Sequence, residues 1–584
     1  MSAAEHPSAR QSPAVPPESP TAVLDAPEAD ERRALAARML VDALLLGVVG
    51  DALLRVESWG ANMALWSGGM VVALLTLARR RYDTIGTETR WLAIAAIALS
   101  VLFAWRDSGQ LAAYNTLALL GTISLIALTL VPNRRQSVLT SRVRDVVYNA
   151  VRTGVGTAFG MLPLVLSDVS LRDVKRSRGA SQAIAVLRAA LIAIPLLLVF
   201  GALFASADPV FARLAGDLLI IDPEEVASHL VITGVIACLV GGFLRTTLLS
   251  SGEPIVSLEF PNGALGLTEV AVALGSLVLL FASFVGVQLR YFFGGDALVQ
   301  LTPGLNYADY ARRGFFELVT VSALVLPVLL SAGALLRRDT PRAERVYRLL
   351  ASALIALLAV IMYSAFARMR LYQSVFGLSA DRLYATVFMG WLAVVFAWFA
   401  MTVLRGRDRR FVGGVFLSGW GTLIALNVAD PAGLVARANV ARAATGKELD
   451  VSYIQSLGAD AAPALAAYIA TQPLTAPAEW AAARADSLAG RPFAAPSAPQ
   501  RDGFTARCVA ARHLLSRWGP EAAQDWRSWT VGRRRAIRAV AAHEAALRTA
   551  ASFDPPGRAE SCPQPPTPPP NGTASAPAPS PRVP

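Results

Sequence analysis

The residues best placed to do chemistry stand where a polar stretch of the chain enters an apolar one. Asp309, Arg313 and Glu317 recur every four residues, so on a helix they would share one face with charges of alternating sign. Glu317 lies inside the apolar stretch, where an ionisable side chain is costly and marks a functional position by default. Tyr310 and Arg312 complete this first cluster. Its chemistry is either a structural ion pair that fixes the helix or the binding of a charged ligand.

A second polar cluster lies further along the chain, between two other apolar stretches. Its guanidinium groups suit carboxylate and phosphate ligands, which favours an anion site. The alternative is internal neutralisation. In that case we expect Arg370 to pair with Glu317 or Asp309, and Glu317 to face protein and not lipid. The members of this cluster are Arg368, Arg370, Tyr372 and Arg382.

Other familiar chemistries have no pattern in this chain. There is no Gly-x-x-x-x-Gly-Lys-Ser/Thr loop and no Gly-x-Ser-x-Gly turn. The histidines are scattered and no cysteine pair has metal-ligand spacing, so we predict no metal and no cofactor, and a non-enzyme is favoured over an enzyme. Cys508 and Cys562 could form a disulfide if their segment is exported. Such a bridge would close a loop of about 55 residues and contribute roughly 3–4 kcal/mol.

The elements that position these clusters are apolar runs of about twenty residues, the length that crosses a bilayer. Apolar residues make up 54% of the chain and charged residues 16%. The fold class that follows is all-α: a polytopic transmembrane helical bundle of about 11 spans with a small helical C-terminal domain and disordered termini. We place the spans at 38–54, 60–78, 90–106, 111–131, 184–205, 229–249, 268–291, 314–336, 348–367, 383–404 and 411–428.

The distribution of arginine predicts the orientation of the spans. Arginine clusters occupy alternate loops, as at Arg79, Arg142, Arg337 and Arg405, and such loops are cytoplasmic. An odd number of spans then places the N-terminus inside and the C-terminal region outside.

Basic residues are nearly all arginine and alanine is abundant, a composition typical of GC-rich bacteria, so the expected location is the bacterial cytoplasmic (inner) membrane.

The domain organisation follows from changes in composition along the chain. We predict a disordered tail at 1–35, four spans in 36–135 and a cytoplasmic amphipathic segment at 136–181. A second transmembrane region covers 182–428. An extracytoplasmic helical domain covers 429–552, with helices near 432–444, 461–471, 504–518 and 533–550, and a Pro-rich disordered tail covers 553–584.

Net charge limits the choice of partners. The chain carries 54 Lys and Arg against 42 Asp and Glu, a net charge of +12. Such an excess can indicate nucleic-acid binding, but here the basic residues lie at the ends of apolar runs, so no nucleic acid is expected. The expected partners are the lipid bilayer and a lipid or small-molecule ligand. The sequence leaves the oligomeric state open.

Several motifs stand out in the second half of the chain: Gln288-Leu-Arg-Tyr-Phe-Phe-Gly-Gly295, Tyr307-Ala-Asp-Tyr-Ala-Arg-Arg-Gly-Phe-Phe-Glu-Leu318, the loop from Arg370 to Tyr384, Asp430-Pro431, Ala436-Arg437-Ala438-Asn439, Leu449-Asp450 with Tyr453, and Ser456-Leu457-Gly-Ala-Asp460-Ala with Pro463. These motifs resemble a bacterial family of multi-pass membrane proteins, the domain-of-unknown-function 4173 family, which is related to family 4153. The resemblance covers about 180–470 and leaves out the first four spans. It implies a membrane topology and no activity. One departure is Ser379-Ala380 before Asp381, where members of the family tend to have Thr.

Two classes of function fit these features. One is a transporter or lipid-handling permease with Asp309, Arg313, Glu317 and Arg370 at its outer mouth. The other is a non-catalytic envelope or signalling component that anchors an extracytoplasmic interaction domain. An integral membrane enzyme ranks third.

The topology is directly testable. A reporter that is active only outside the membrane, fused after Ala550, is expected to be active, because the arginine-poor loops and the C-terminal region should share one side. A silent reporter there, together with an active cytoplasmic reporter at the same site, would mean an inverted orientation or a span count that is wrong by one.

Overall fold

The computed structural model confirms the all-α fold. It describes residues 26–168 except 57, 83, 131–136 and 138–140, a few residues of 193–208, and then 223–249, 263–293, 315–472 and 498–552. Within these ranges the extended structure consists of one isolated parallel bridge between Leu265 and Leu336.

Twelve membrane-region helices and six C-terminal helices can be defined in the described residues. The first set is α1 (Ala26–Leu54), α2 (Ala61–Arg81), α3 (Thr87–Leu102), α4 (Gly109–Leu130), α5 (Val143–Phe159), α6 (Met161–Asp168), α7 (Pro223–Leu248), α8 (Leu267–Phe293), α9 (Phe315–Leu335), α10 (Pro341–Phe376), α11 (Ala380–Thr402) and α12 (Phe411–Ala429). The second set is α13 (Pro431–Ala443), α14 (Val451–Ser456), α15 (Ala462–Thr471), α16 (Ala498–Trp518), α17 (Val531–Ala542) and α18 (Glu544–Ala551).

Eight of the described helices are long and apolar enough to cross a membrane, or nine if α5 and α6 count as one broken span. The predicted count of eleven is therefore not confirmed. The difference lies in α1, whose apolar part is interrupted by Arg38, Asp42 and Asp51, in α3, which has only 16 residues, and in the predicted span at 184–205, which falls largely outside the described residues.

Helix α1 begins at Ala26, within the stretch 1–35 that the sequence predicts as a tail. Residues 26–35 belong to the helix, with Leu35 and Ala36 buried. This stretch is rich in alanine, glutamate and arginine, all good helix formers. The stretch is as polar as a disordered tail, but other helices of the bundle cover one face of it, where Leu35 and Ala36 are buried.

The helices alternate in direction, which gives the molecule two ends. At the end we call arginine-rich, Asp168 accepts from Arg32 at 3.2 Å and from Arg245 at 2.5 Å, and Arg142 lies 3.6 Å from Asp408. The opposite end, which we call the domain end, carries α13–α18 beyond the last turn of α12. The start of α1 and the C-terminal helices are thus at opposite ends of the described structure.

Three separate cores hold the described residues together. The first bundle, α1–α7, packs around residues such as Met39, Phe103 and Leu244. The second bundle, α8–α11, has its own core, and the C-terminal helices form a third around residues such as Leu514. Helix α12 joins the two bundles, because Phe411 belongs to the second core and Leu423 to the first.

Small residues let α7 approach its neighbours closely. A Cβ on Gly47 of α1 would lie 2.7 Å from the carbonyl oxygen of Thr233, and a Cβ on Gly242 of α7 would lie 2.8 Å from that of Gly156 in α5. Helices in membranes associate by such backbone approaches, since lipid supplies no hydrophobic drive for association. These contacts explain how the charged helix α1 becomes part of the bundle.

The segment α5–α6 bends by 56° and returns to the end from which it starts. Its first residues lie beside the Arg142–Asp408 pair, and its last residue is Asp168, which contacts Arg32 and Arg245. Both contacts lie at the arginine-rich end, so the segment does not cross the bundle.

The amphipathic pattern of α5 has its polar face inside. Asn149 and Arg152 are buried; Asn149 donates to the carbonyl of Ser124 at 2.8 Å. Val151 and Phe159 are exposed. A polar face against protein and an apolar face outward suit a helix at the surface of a bilayer.

Replacement of Gly242 by leucine tests the close packing of α7. Gly242→Leu should destabilise the protein by about 1–3 kcal/mol, because the side chain would enter the backbone of α5. The matched control is Gly234→Leu on the same helix, where a Cβ meets nothing within 4 Å. Thermal unfolding in detergent compares them, and equal melting temperatures would contradict the packing.

Candidate functional site at the domain end

The first predicted polar cluster is only partly visible. Asp309, Tyr310, Arg312 and Arg313 lie outside the described residues, so their role stays a prediction. Glu317 lies in the first turn of α9 and is exposed, contrary to the expectation that it would face the protein interior. The reason is its place on α9: the buried face of this turn is occupied by apolar side chains such as Phe315 and Leu318.

The expected pair between Glu317 and Arg370 does not form in the described part of the chain. The Arg370 guanidinium instead lies 5.9 Å from the ring centre of Phe366, one helical turn before it. Arg368, on the same turn of α10, is half-buried. The anion-site reading of these arginines remains a prediction.

Two members of the second cluster do come together. The Arg382 guanidinium stacks over the ring of Tyr372 at 4.2 Å and donates to the carbonyl of Gly377 at 2.7 Å. Gly377 has φ of +79° and ends α10, a conformation in which glycine is strongly favoured. Arg382 and Tyr372 thereby fix the sharp α10–α11 hairpin.

This hairpin is docked on the C-terminal domain through its backbone. Asn439 of α13 accepts from the N–H of Leu378 at 3.2 Å and donates to its carbonyl at 2.6 Å. The Tyr453 hydroxyl accepts from the N–H of Ala380 at 2.7 Å. The second bundle is therefore tied to the C-terminal domain at two nearby backbone positions, Leu378 and Ala380.

A buried arginine ties the first bundle to the same domain. Arg106, at the end of the α3 region, is 6% exposed. It donates to the carbonyls of Asn427 at 2.7 Å and Val428 at 3.1 Å, in the last turn of α12. Terminal carbonyls of a helix lack intrahelical partners, and a cation there also suits the helix dipole.

The charge of Arg106 is neutralised by two aspartates from different helices. Its Nη1 lies 3.4 Å from Asp430 and 3.4 Å from Asp460. Asp460 also accepts from the backbone N–H of Asp107 at 3.0 Å. Asp430 adopts a left-handed conformation with φ of 60° and caps α13 through the N–H of Gly433. One residue thus ends the membrane helix, begins the domain and faces Arg106.

Backbone contacts extend this junction to the first bundle's loops. Val531 donates to the carbonyl of Ala104 at 2.9 Å, and Ala61 donates to that of Trp529 at 2.9 Å. Arg533 lies 3.2 Å from Asp107. The C-terminal domain therefore bridges the ends of both membrane bundles.

The family comparison covers this junction. Residues 93–468 match the profile described as "Domain of unknown function (DUF4153)". The chain belongs to this family. No curated protein and no solved structure matches it. The DUF4153 region starts within α3 and ends within α15, so it includes α3 and α4, which the motif resemblance had left out. It contains Arg106, Asp430 and Asp460.

Sequence reasoning missed the junction of the DUF4153 region because Arg106 resembles any basic residue that ends an apolar run. The available signal was its position. Arg106 ends an apolar run on the side opposite the arginine-rich loops, against the usual charge distribution, so it needed a partner. Asp430 and Asp460 were quoted in the motifs of the family resemblance, but no pattern linked them to Arg106 across more than 300 residues.

The carboxyl of Asp460 is the most perturbed acid of this junction. Burial, together with the negative charge of the nearby Asp430, raises the pKa of Asp460 to about 6 even though Arg106 opposes the shift. An acid that titrates near neutral pH in a cleft is a candidate functional group.

The DUF4153 region and the C-terminal helices line a cavity of about 580 Å³ over this carboxyl. Its floor includes Asp430 and Asp460, and its rim holds Arg437, Arg535 and Arg538. Three guanidinium groups over a titratable carboxyl suit a small anionic ligand. The described residues hold no group of three or more metal-ligating side chains.

The cysteine pair is not decided by these contacts. Cys508 is buried in the core of the C-terminal domain, where burial raises its thiol pKa to about 11. Cys562 lies outside the described residues, so the disulfide stays a prediction.

Asp460→Asn should flatten the dependence of stability on pH. The raised pKa means that the stabilising contribution of this carboxyl is complete below about pH 4 and lost as the pH rises through about 6. The wild type should therefore lose about 3 kcal/mol between these limits, and the variant should not. Thermal unfolding in detergent from pH 4 to 8 measures this. Asp525→Asn is the control, since the pKa of that exposed carboxyl is lowered by Arg527; a slope unchanged by Asp460→Asn would refute the assignment.

Proposed function

We propose that this multi-pass membrane protein is a transporter or lipid-handling permease whose C-terminal domain closes its outer end. The observation that carries the proposal is the position of that domain, which is hydrogen-bonded to the first bundle at Arg106 and to the second at Leu378 and Ala380. A domain so placed controls how the two bundles move relative to each other.

The two cores support this proposal. Transporters work by moving one helical unit against another around a site between them. Here the first and second bundles have separate cores, and polar contacts from α12 contribute to their junction. Trp420 donates to the Thr122 hydroxyl at 3.1 Å, and Asn427 donates to Asn115 at 3.2 Å.

Aromatic side chains favour a membrane surface at the domain end. Trp59, Trp105, Trp526 and Trp529 are 37–62% exposed and come from loops that meet at the junction. Tryptophan is enriched at bilayer interfaces. The proposed orientation has the arginine-rich end in the cytoplasm and the domain end outside, in the inner membrane of a bacterium.

The rival class is an envelope or signalling component. It predicts a domain free to meet a partner. The close attachment of the domain to both bundles favours the permease, because a tethered interaction module has no need of contacts with each bundle.

A lipid-flipping assay tests the proposal. Proteoliposomes that contain fluorescent phospholipids should lose more than half their fluorescence to an external quencher, because flipping brings inner-leaflet lipid outward. Asn439→Ala should raise the rate several-fold by loosening the domain. Thr445→Ala, an exposed position just beyond the same helix, is the control.

A parallel measurement covers small substrates. Mass spectrometry of the purified protein should identify a co-purifying lipid or metabolite. The absence of flipping and of any bound small molecule, together with a protein cross-linked to the C-terminal domain in cells, would overturn the permease in favour of the envelope component.

A further inference from the structure

A second cavity lies at the arginine-rich end, far from the junction. It has a volume of about 610 Å³ and lies between the start of α5, the end of α9, the start of α10 and the end of α11. Its walls include Leu330, Ala334 and Val403, which are apolar. None of the sequence motifs pointed to it.

The rim of this cavity is strongly basic. Arg142, Arg144, Arg337 and Arg338 line it, against the carboxylates of Asp339 and Asp408. These side chains come from segments far apart in sequence, so folding gathers a positive charge that no single loop carries.

The ion pairs at the rim are long and leave donors available. Arg142 lies 3.6 Å from Asp408, and Arg337 lies 3.9 Å from Asp339. Arg337 also donates to the carbonyl of Gly263 at 3.0 Å, and Arg338 donates to that of Gly333 at 3.3 Å. A guanidinium has five N–H donors, so the single carbonyl bonds of Arg337 and Arg338 hold these two groups in place without using all their donors.

We infer that this cavity binds the phosphate group of an acidic phospholipid. The reasons are its place at the ends of apolar helices, where headgroups lie, and its combination of an arginine rim with apolar walls. A phosphodiester can accept two parallel bonds from a guanidinium. The walls at Leu330 and Val403 offer a place for the upper acyl chain, which a free phosphate ion lacks. The inference does not depend on the proposed permease function.

The charge of the rim argues against a zwitterionic lipid. A choline or ethanolamine group would place a further positive charge beside four arginines, which would repel it. The glycerol headgroup of phosphatidylglycerol adds no charge and leaves its phosphate fully negative. The selectivity of the cavity should therefore follow lipid charge.

Native mass spectrometry of the full-length protein in detergent tests this inference. Protein given equal amounts of phosphatidylglycerol and phosphatidylcholine should retain phosphatidylglycerol at least tenfold better. Arg337→Gln with Arg338→Gln should lower that retention at least tenfold, since two charge-assisted contacts are lost. The matched control is Arg405→Gln with Arg409→Gln, two exposed arginines of the same end that do not line the cavity.

A second measurement needs no variant. Phosphatidylglycerol should raise the melting temperature of the wild type, whereas phosphatidylcholine and inorganic phosphate should not. Equal stabilisation by inorganic phosphate would make this a free-anion site and overturn the lipid assignment. Equal loss of retention in the control variant, or full retention in the Arg337/Arg338 variant, would also overturn it, because general surface charge would then account for binding.

Discussion

The charge of Arg106 is the constraint on which the domain end depends. A guanidinium that has left water must be neutralised and hydrogen-bonded, or the fold loses several kcal/mol. Its partners come from the end of α12, from the αL residue Asp430 and from Asp460, two residues before α15. If any of these partners moved away, the Arg106 guanidinium would stay buried without that hydrogen-bond or ion-pair partner. Arg106 can therefore be buried only when the C-terminal domain is docked on the first bundle.

The second bundle is held by a different kind of contact. Asn439 and Tyr453 bind the backbone of the α10–α11 hairpin, and no charge is buried there. Neutral hydrogen bonds contribute about 1 kcal/mol each and can exchange with water. The domain is thus attached firmly to one bundle and more weakly to the other. Motion of the second bundle relative to the domain would therefore cost less free energy than motion of the first bundle, because only neutral hydrogen bonds would break.

The sequence predicts the membrane helices well and the junction poorly, for physical reasons. Long apolar runs need a helix, so the predicted spans at 314–336 and 383–404 correspond closely to α9 and α11. The charged helix α1 and the short helix α3 are ambiguous because their place depends on packing partners. The polar face of α5 is visible as a pattern, but only the fold reveals that this face lies against protein.

Arg106, Asp430 and Asp460 are related by tertiary structure alone. Glu317 was singled out from hydropathy, which cannot tell which face of a helix a neighbour covers.

The separation of Arg106 from its partners also has a consequence for biosynthesis. More than 300 residues lie between Arg106 and the carbonyls and carboxylates that surround it. A chain made from the N-terminus therefore completes α3 long before those partners have left the ribosome. During that interval Arg106 has to remain hydrated, and the first bundle cannot close at its domain end. The last segments to be synthesised complete the first bundle, so a nascent chain that stops before Asp460 leaves Arg106 without one of its two carboxylate partners.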